Sequence, residues 1–214
     1  MSELVFSVIG AAAEPYAVAP QLALRVRVEE RTGTRIHAIA LRAQVMLEPQ
    51  RRRYAPEESL RLVDLFGAPD RYGDTLRPML WTHLSQTVLA FEDSAQFDLP
   101  VPCSYDFEVA AHKYLAGLDD GEIPLNLLFS GTVFVRNDDG HVAAEFVPWS
   151  CEARYRLPVA VWRATMDAHF PNQAWLRVSR EIFDELTRFR GAEGLPSWDA
   201  AMARLLESAK VPRT

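Results

Sequence analysis

The sequence predicts a mainly β protein of α+β character: an antiparallel β-sandwich over residues 1–158, followed by amphipathic C-terminal helices over residues 159–214 that pack on it. Three observations carry that prediction. Apolar residues alternate with polar ones over several long stretches between residues 22 and 157, the period of half-buried strands. Short turn-forming clusters separate those stretches. After Pro158 the apolar period lengthens to that of a helix.

The first alternating run places Leu22, Leu24, Val26 and Val28 opposite Ala23, Arg25, Arg27 and Glu29. Arg31 to Thr34 reads as a turn. Ile39, Leu41, Ala43, Val45 and Leu47 then share a face, so the two runs are expected to form a hairpin. Pro56-Glu57-Glu58 opens a short helix, with proline early and acids in the first turn, and Gly67 suits its end. Residues 68–79 carry Pro69, Gly73 and Pro78 and read as loop. Residues 80–91 are apolar on both faces, which suggests a strand covered on two sides.

From Phe97 to Ala111 the apolar residues keep one parity. Pro100 and Pro102 lie on the other, where a missing donor points to a sheet edge or bulge. Asp119-Asp120-Gly121 is a turn, Ile123 to Val135 alternates, and residues 137–140 make a hairpin connection. The return run changes phase near Val147-Pro148, which implies a bulge and puts Trp149, Cys151, Ala153, Tyr155 and Leu157 on one face. Val159, Trp162, Met166 and Phe170 form a helical stripe that Pro171 ends. Ser179 and Ser197 are candidate caps for two further helices.

Composition narrows the chemistry. A chain of 214 residues can bury a full core without a metal or disulfide staple. Its net charge of −6 works against nucleic-acid binding. The first residues lack a basic start and a long apolar run, so neither a signal peptide nor a membrane span is expected, and the predicted location is cytoplasmic.

Five scattered histidines and two cysteines show no zinc-like spacing, so no metal is expected. Cys103 and Cys151 fall on apolar parities and read as buried thiols. There is no nucleophile elbow and no phosphate-binding glycine loop, so neither a cofactor nor a catalytic residue is assigned. The acid pairs Asp119-Asp120 and Asp138-Asp139 flank turn glycines and read as turn formers. Two features remain as candidate binding residues. Arg51-Arg52-Arg53 is the one basic run, and it could meet an acidic partner or sit in solvent as a loop. Trp175 is the tryptophan without a clear core position.

Several blocks also carry a resemblance: IHAIALRAQVMLEPQRRRY from Ile36, PLNLLFSGTVF within Leu99 to Phe134, Val147-Pro148-Trp149-Ser150, FPNQAWLRVSREIFDELTRFR from Phe170, and LPSWDAAMARLL. Together they resemble an uncharacterised, largely actinobacterial protein family encoded beside nickel–iron hydrogenase genes. None of these blocks is a functional motif. The resemblance implies an accessory role in hydrogenase assembly or function, with a hydrogenase subunit or another accessory factor as protein partner. The leading expectation is therefore a non-enzymatic accessory or interaction protein. The alternatives are a β module for a small ligand or carbohydrate, and an enzyme whose catalytic groups converge only in the fold.

Overall fold

The computed structural model describes residues 2–103, 109–136, 140–171 and 177–209. The chain divides into two compact units, Met1–Ala174 and Trp175–Thr214. In the first unit, β1 (Leu4–Ala13), β2 (Gln21–Glu30) and β5 (Ser94–Pro102) form a three-stranded antiparallel sheet in the order β1-β2-β5. A five-stranded antiparallel sheet holds β4 (Met79–Val88), β3 (Ile36–Leu47), β6 (Glu122–Arg136) and β7 (Val142–Phe146) in that order. The fifth strand, β8 (Glu152–Pro158), pairs with the first half of β6, and β7 pairs with its second half.

The strand parities decide what is buried. Leu22, Leu24, Val26 and Val28 of β2 and Ile39, Leu41, Val45 and Leu47 of β3 are almost fully enclosed in one core between the sheets. Phe6 of β1 stacks on Phe129 of β6 across that core, with ring centroids 4.3 Å apart. Pro100 and Pro102 lie on β5, an edge strand whose outer side needs no backbone donors. Cys103 and Cys151 are both buried and free. Helix α5 (Val159–His169) packs on β1, β2 and β8 and so belongs with the sheets, burying Val159, Trp162 and Met166.

Several expectations are corrected. The runs at 22–28 and 39–47 do not form a hairpin: β2 and β3 lie in different sheets. The turn between them is held by Glu30, whose buried carboxylate accepts from the backbone N–H groups of Glu3, Thr32 and Thr34 and from the Thr32 hydroxyl. That anchoring lets the chain cross from one sheet to the other. The strand β1 has no counterpart in the sequence reading, because a register shift between Val8 and Gly10 breaks its alternation. The alternation from Phe97 does not continue as strand through Ala111, since Ala110–Ala116 is a helix, α4. Residues 105 and 107 of that run, and the connection at 137–139, lie outside the described residues. Trp149 is 95% exposed on the bend between β7 and β8, not on a core face.

The second unit holds α6 (Arg180–Ala192) and α7 (Trp198–Ser208). The hydroxyls of Ser179 and Ser197 accept from the N–H groups of Ile182 and Ala200, which satisfies donors in each first turn. Phe183 packs on Trp198 at 5.3 Å between centroids, and the Arg190 guanidinium lies 4.2 Å from the Trp198 ring centre.

Candidate functional site

The connection from β3 to β4, residues 48–78, is the longest among the described residues between consecutive strands. It contains a 3-10 turn at Pro49–Arg51 and the short helices α1 (Pro56–Arg61), α2 (Val63–Phe66) and α3 (Tyr72–Thr75). Long connections with their own packing are where binding sites concentrate. This one folds into a cleft of about 660 Å³. Every residue that lines it comes from this connection.

The three arginines of the basic run have three different fates. Arg51 pairs with Glu48 at 2.9 Å. Arg52 turns inward, its side chain only 8% exposed, and pairs with the buried Glu58. Its guanidinium also donates to the carbonyls of Asp120 at 2.8 Å and Glu122 at 3.0 Å, tying the connection to the start of β6. Glu58 in turn accepts from the N–H of Ala55 at 3.0 Å and from that of Asp119 at 2.8 Å. Arg53 stays exposed on the cleft wall. Trp175 lies outside the described residues.

Nearby, Asp119 is bonded by Arg61 and lies 3.4 Å from Arg163, which holds its carboxyl below the usual aspartate range. These contacts fasten α1 and α5 to the turn before β6.

A second cation from the far end of the connection, Arg77, lines the same cleft as Arg53. Neither makes a salt bridge within the described residues, and no Asp or Glu lines the cleft. Asp70 and Asp74 neighbour lining residues in the chain without lining it themselves. Tyr54 and Tyr72 complete the wall with Leu76, Pro69 and Pro78. The two tyrosine rings meet edge to face at 5.7 Å, and Tyr72 also meets Phe66 at 6.4 Å. The Tyr54 hydroxyl donates to the Pro49 carbonyl at 2.7 Å and lies 3.1 Å from the Tyr114 hydroxyl. Burial pushes the titration of both tyrosines upward, so they stay neutral hydrogen-bonding groups.

Two buried polar atoms at this cleft have no partner among the described residues, the Tyr72 hydroxyl and the Arg52 Nε. Buried donors are nearly always satisfied, so an unmet pair beside one cleft is a feature to explain. Of these wall residues Arg53 stands out in the sequence, within the basic run, whereas Arg77 and Tyr72 carry no periodic or motif signal.

A smaller cavity of about 260 Å³ lies between Trp81, Cys103, His112 and Trp162. Burial pushes the Cys103 thiol up to about 12, so it is protonated at neutral pH and unsuited to thiolate chemistry as it stands. Among the described residues no three His, Cys, Asp or Glu side chains converge as a metal site. No helix among them is long and apolar enough to cross a membrane.

No curated protein matches the chain. Among solved structures, one of a protein described as ApaA from Bordetella pertussis is 12% identical and covers 73% of this chain and 93% of its own. Its TM-score of 0.25 is too low to carry an argument. A family match covers residues 1–214, and the chain belongs to that family, DUF6084, a family of unknown function.

Proposed function

We propose that this protein is a non-enzymatic, cytoplasmic binding module that docks an anionic segment of another polypeptide in the β3–β4 cleft. The observation that carries the reading is the charge of the cleft. Arg53 and Arg77 line it without a salt bridge among the described residues and with no acid on its wall, in a chain of net charge −6. A cleft opposite in sign to its own protein draws in an acidic partner and orients it. Leu60 and Val63 of the same connection are exposed, as is Leu80 just after it in β4. They offer the apolar contact that a polypeptide interface needs. The resemblance implies nickel–iron hydrogenase subunits and their accessory factors as the first partners to test.

The test is fluorescence anisotropy with purified protein and labelled peptides, one alternating Glu with Leu and one alternating Lys with Leu. The acidic peptide is expected to bind. The Arg53→Glu/Arg77→Glu double variant is expected to weaken that binding about tenfold or more at low salt, with the difference shrinking as salt rises. Arg42→Glu, a charge reversal on the exposed face of β3, serves as the control and should have little effect. Equal affinity for both peptides, or binding indifferent to the double reversal, would sink the proposal.

A further inference from the structure

We infer that the anionic group seated in this cleft is a phosphomonoester rather than a lone carboxylate, an inference that rests on the anion-binding role proposed for the same cleft. Charge is the first reason. Glu58 neutralises Arg52, which leaves Arg53 and Arg77 as two uncompensated positive charges on the wall. A phosphomonoester carries about −1.5 to −2 near neutral pH, and a carboxylate carries one negative charge.

The hydrogen-bonding inventory is the second reason. Guanidinium groups donate and never accept. The Tyr54 hydroxyl is already engaged with the Pro49 carbonyl. The Tyr72 hydroxyl and the Arg52 Nε are buried without partners, and Arg52 is more than nine-tenths enclosed. The wall therefore carries guanidinium donors and no carboxylate, its side-chain acceptors being the neutral Gln50 amide oxygen and the Ser59 and tyrosine hydroxyls. An acceptor-only group with three terminal oxygens meets more of that demand than one with two, and clustered arginines are the usual means of holding it. The two orphan atoms do not touch solvent, so the Tyr72 side chain must swing about its Cα–Cβ bond to bring its hydroxyl to the anion. Leu60 of this connection and Leu80 just after it are exposed, which favours a phosphate carried on a polypeptide side chain with apolar neighbours.

The experiment is calorimetric titration of the full chain with one short leucine-flanked peptide in three forms, carrying phosphoserine, glutamate or serine at its centre. Free O-phosphoserine is a fourth arm. The phosphoserine peptide is expected to bind about tenfold more tightly than the glutamate peptide, and the serine peptide more weakly than either. Tyr72→Phe is expected to lower phosphopeptide affinity several-fold while leaving the melting temperature unchanged or higher, because it removes an unsatisfied buried hydroxyl. Arg53→Gln/Arg77→Gln should abolish the preference. Glutamate binding as tight as phosphoserine, through the same arginines, overturns the phosphate inference and leaves the proposed function standing. Binding of O-phosphoserine without either anionic peptide supports the phosphate inference and overturns the polypeptide partner. Absence of binding in all four arms overturns both.

Discussion

Replacing Glu58 by alanine should be among the most destabilising single changes in the first unit. The side chain is almost fully enclosed and has three partners, the Arg52 guanidinium and the N–H groups of Ala55 and Asp119. Its loss leaves a buried cation with only carbonyl acceptors, a situation that costs about 3–5 kcal/mol. The N–H of Ala55 and that of Asp119 lose their acceptor too, at roughly 1 kcal/mol apiece. Because such contributions overlap, a total of about 4 kcal/mol is expected. For a unit of this size that corresponds to a fall of roughly 8–16 °C in Tm. Scanning calorimetry and urea unfolding followed by circular dichroism both measure it. The decisive comparison is the Arg52→Met/Glu58→Leu double variant, which removes the charges together and with them the desolvation cost of each. It should recover most of the stability that Glu58→Ala loses. A loss below about 1 kcal/mol for Glu58→Ala, or a double variant weaker than the single one, would refute the view that this pair anchors the connection.

Two other outcomes follow from the fold. Gly131 in β6 has φ +139°, and a Cβ there would sit 2.1 Å from the Ala40 carbonyl oxygen. Gly131→Ala should therefore force β3 and β6 apart at a cost of roughly 3 kcal/mol or more, whereas Gly140→Ala, strained at φ +85° but with open space around it, should lower the melting temperature much less. Burial alone would raise the Glu30 carboxyl, but the Thr32 hydroxyl and the N–H groups of Glu3, Thr32 and Thr34 outweigh it and hold the carboxyl below the ordinary glutamate range. Its folded value is depressed, so its contribution is present above the unfolded value and is lost as pH falls through the folded one. Glu30→Gln should flatten the acid limb of a stability–pH profile below the ordinary glutamate pKa of about 4.3, and an unchanged limb would count against the assignment.

The parts of the fold legible in sequence were those where one local rule acted alone. Period-two burial in β2, β3 and β6 and serine caps on α6 and α7 depend on neighbours within a few residues. The misreadings arose where tertiary contacts set the outcome. Arg31 to Thr34 has the composition of a hairpin turn, yet the Glu30 carboxylate fixes it as a crossing between sheets. Trp149 keeps the parity of Cys151, but the bend between β7 and β8 turns it into solvent. Arg53 and Arg77 are far apart in the chain and line one cleft only because three short helices fold the connection back on itself. No sequence period marks such a pair.

The basic run shows how closely anchoring and recognition are placed. Adjacent side chains on extended backbone point to opposite sides, so they can meet different environments. Arg52 is followed by extended backbone, with φ −124° and ψ 152° at Arg52 itself. Its side chain enters the interior to meet Glu58, and Arg53 is left on the cleft wall. The inward arginine fixes the connection on β6 through two carbonyls, so the outward one is held by a backbone that has little freedom to move. A guanidinium on a fixed stem loses less conformational freedom on binding than one on a mobile loop. The two residues should therefore fail in different ways. Substituting Arg52 should cost stability as well as binding. Substituting Arg53 should cost binding at unchanged stability, and a pair of variants showing the same thermal shift would break the distinction.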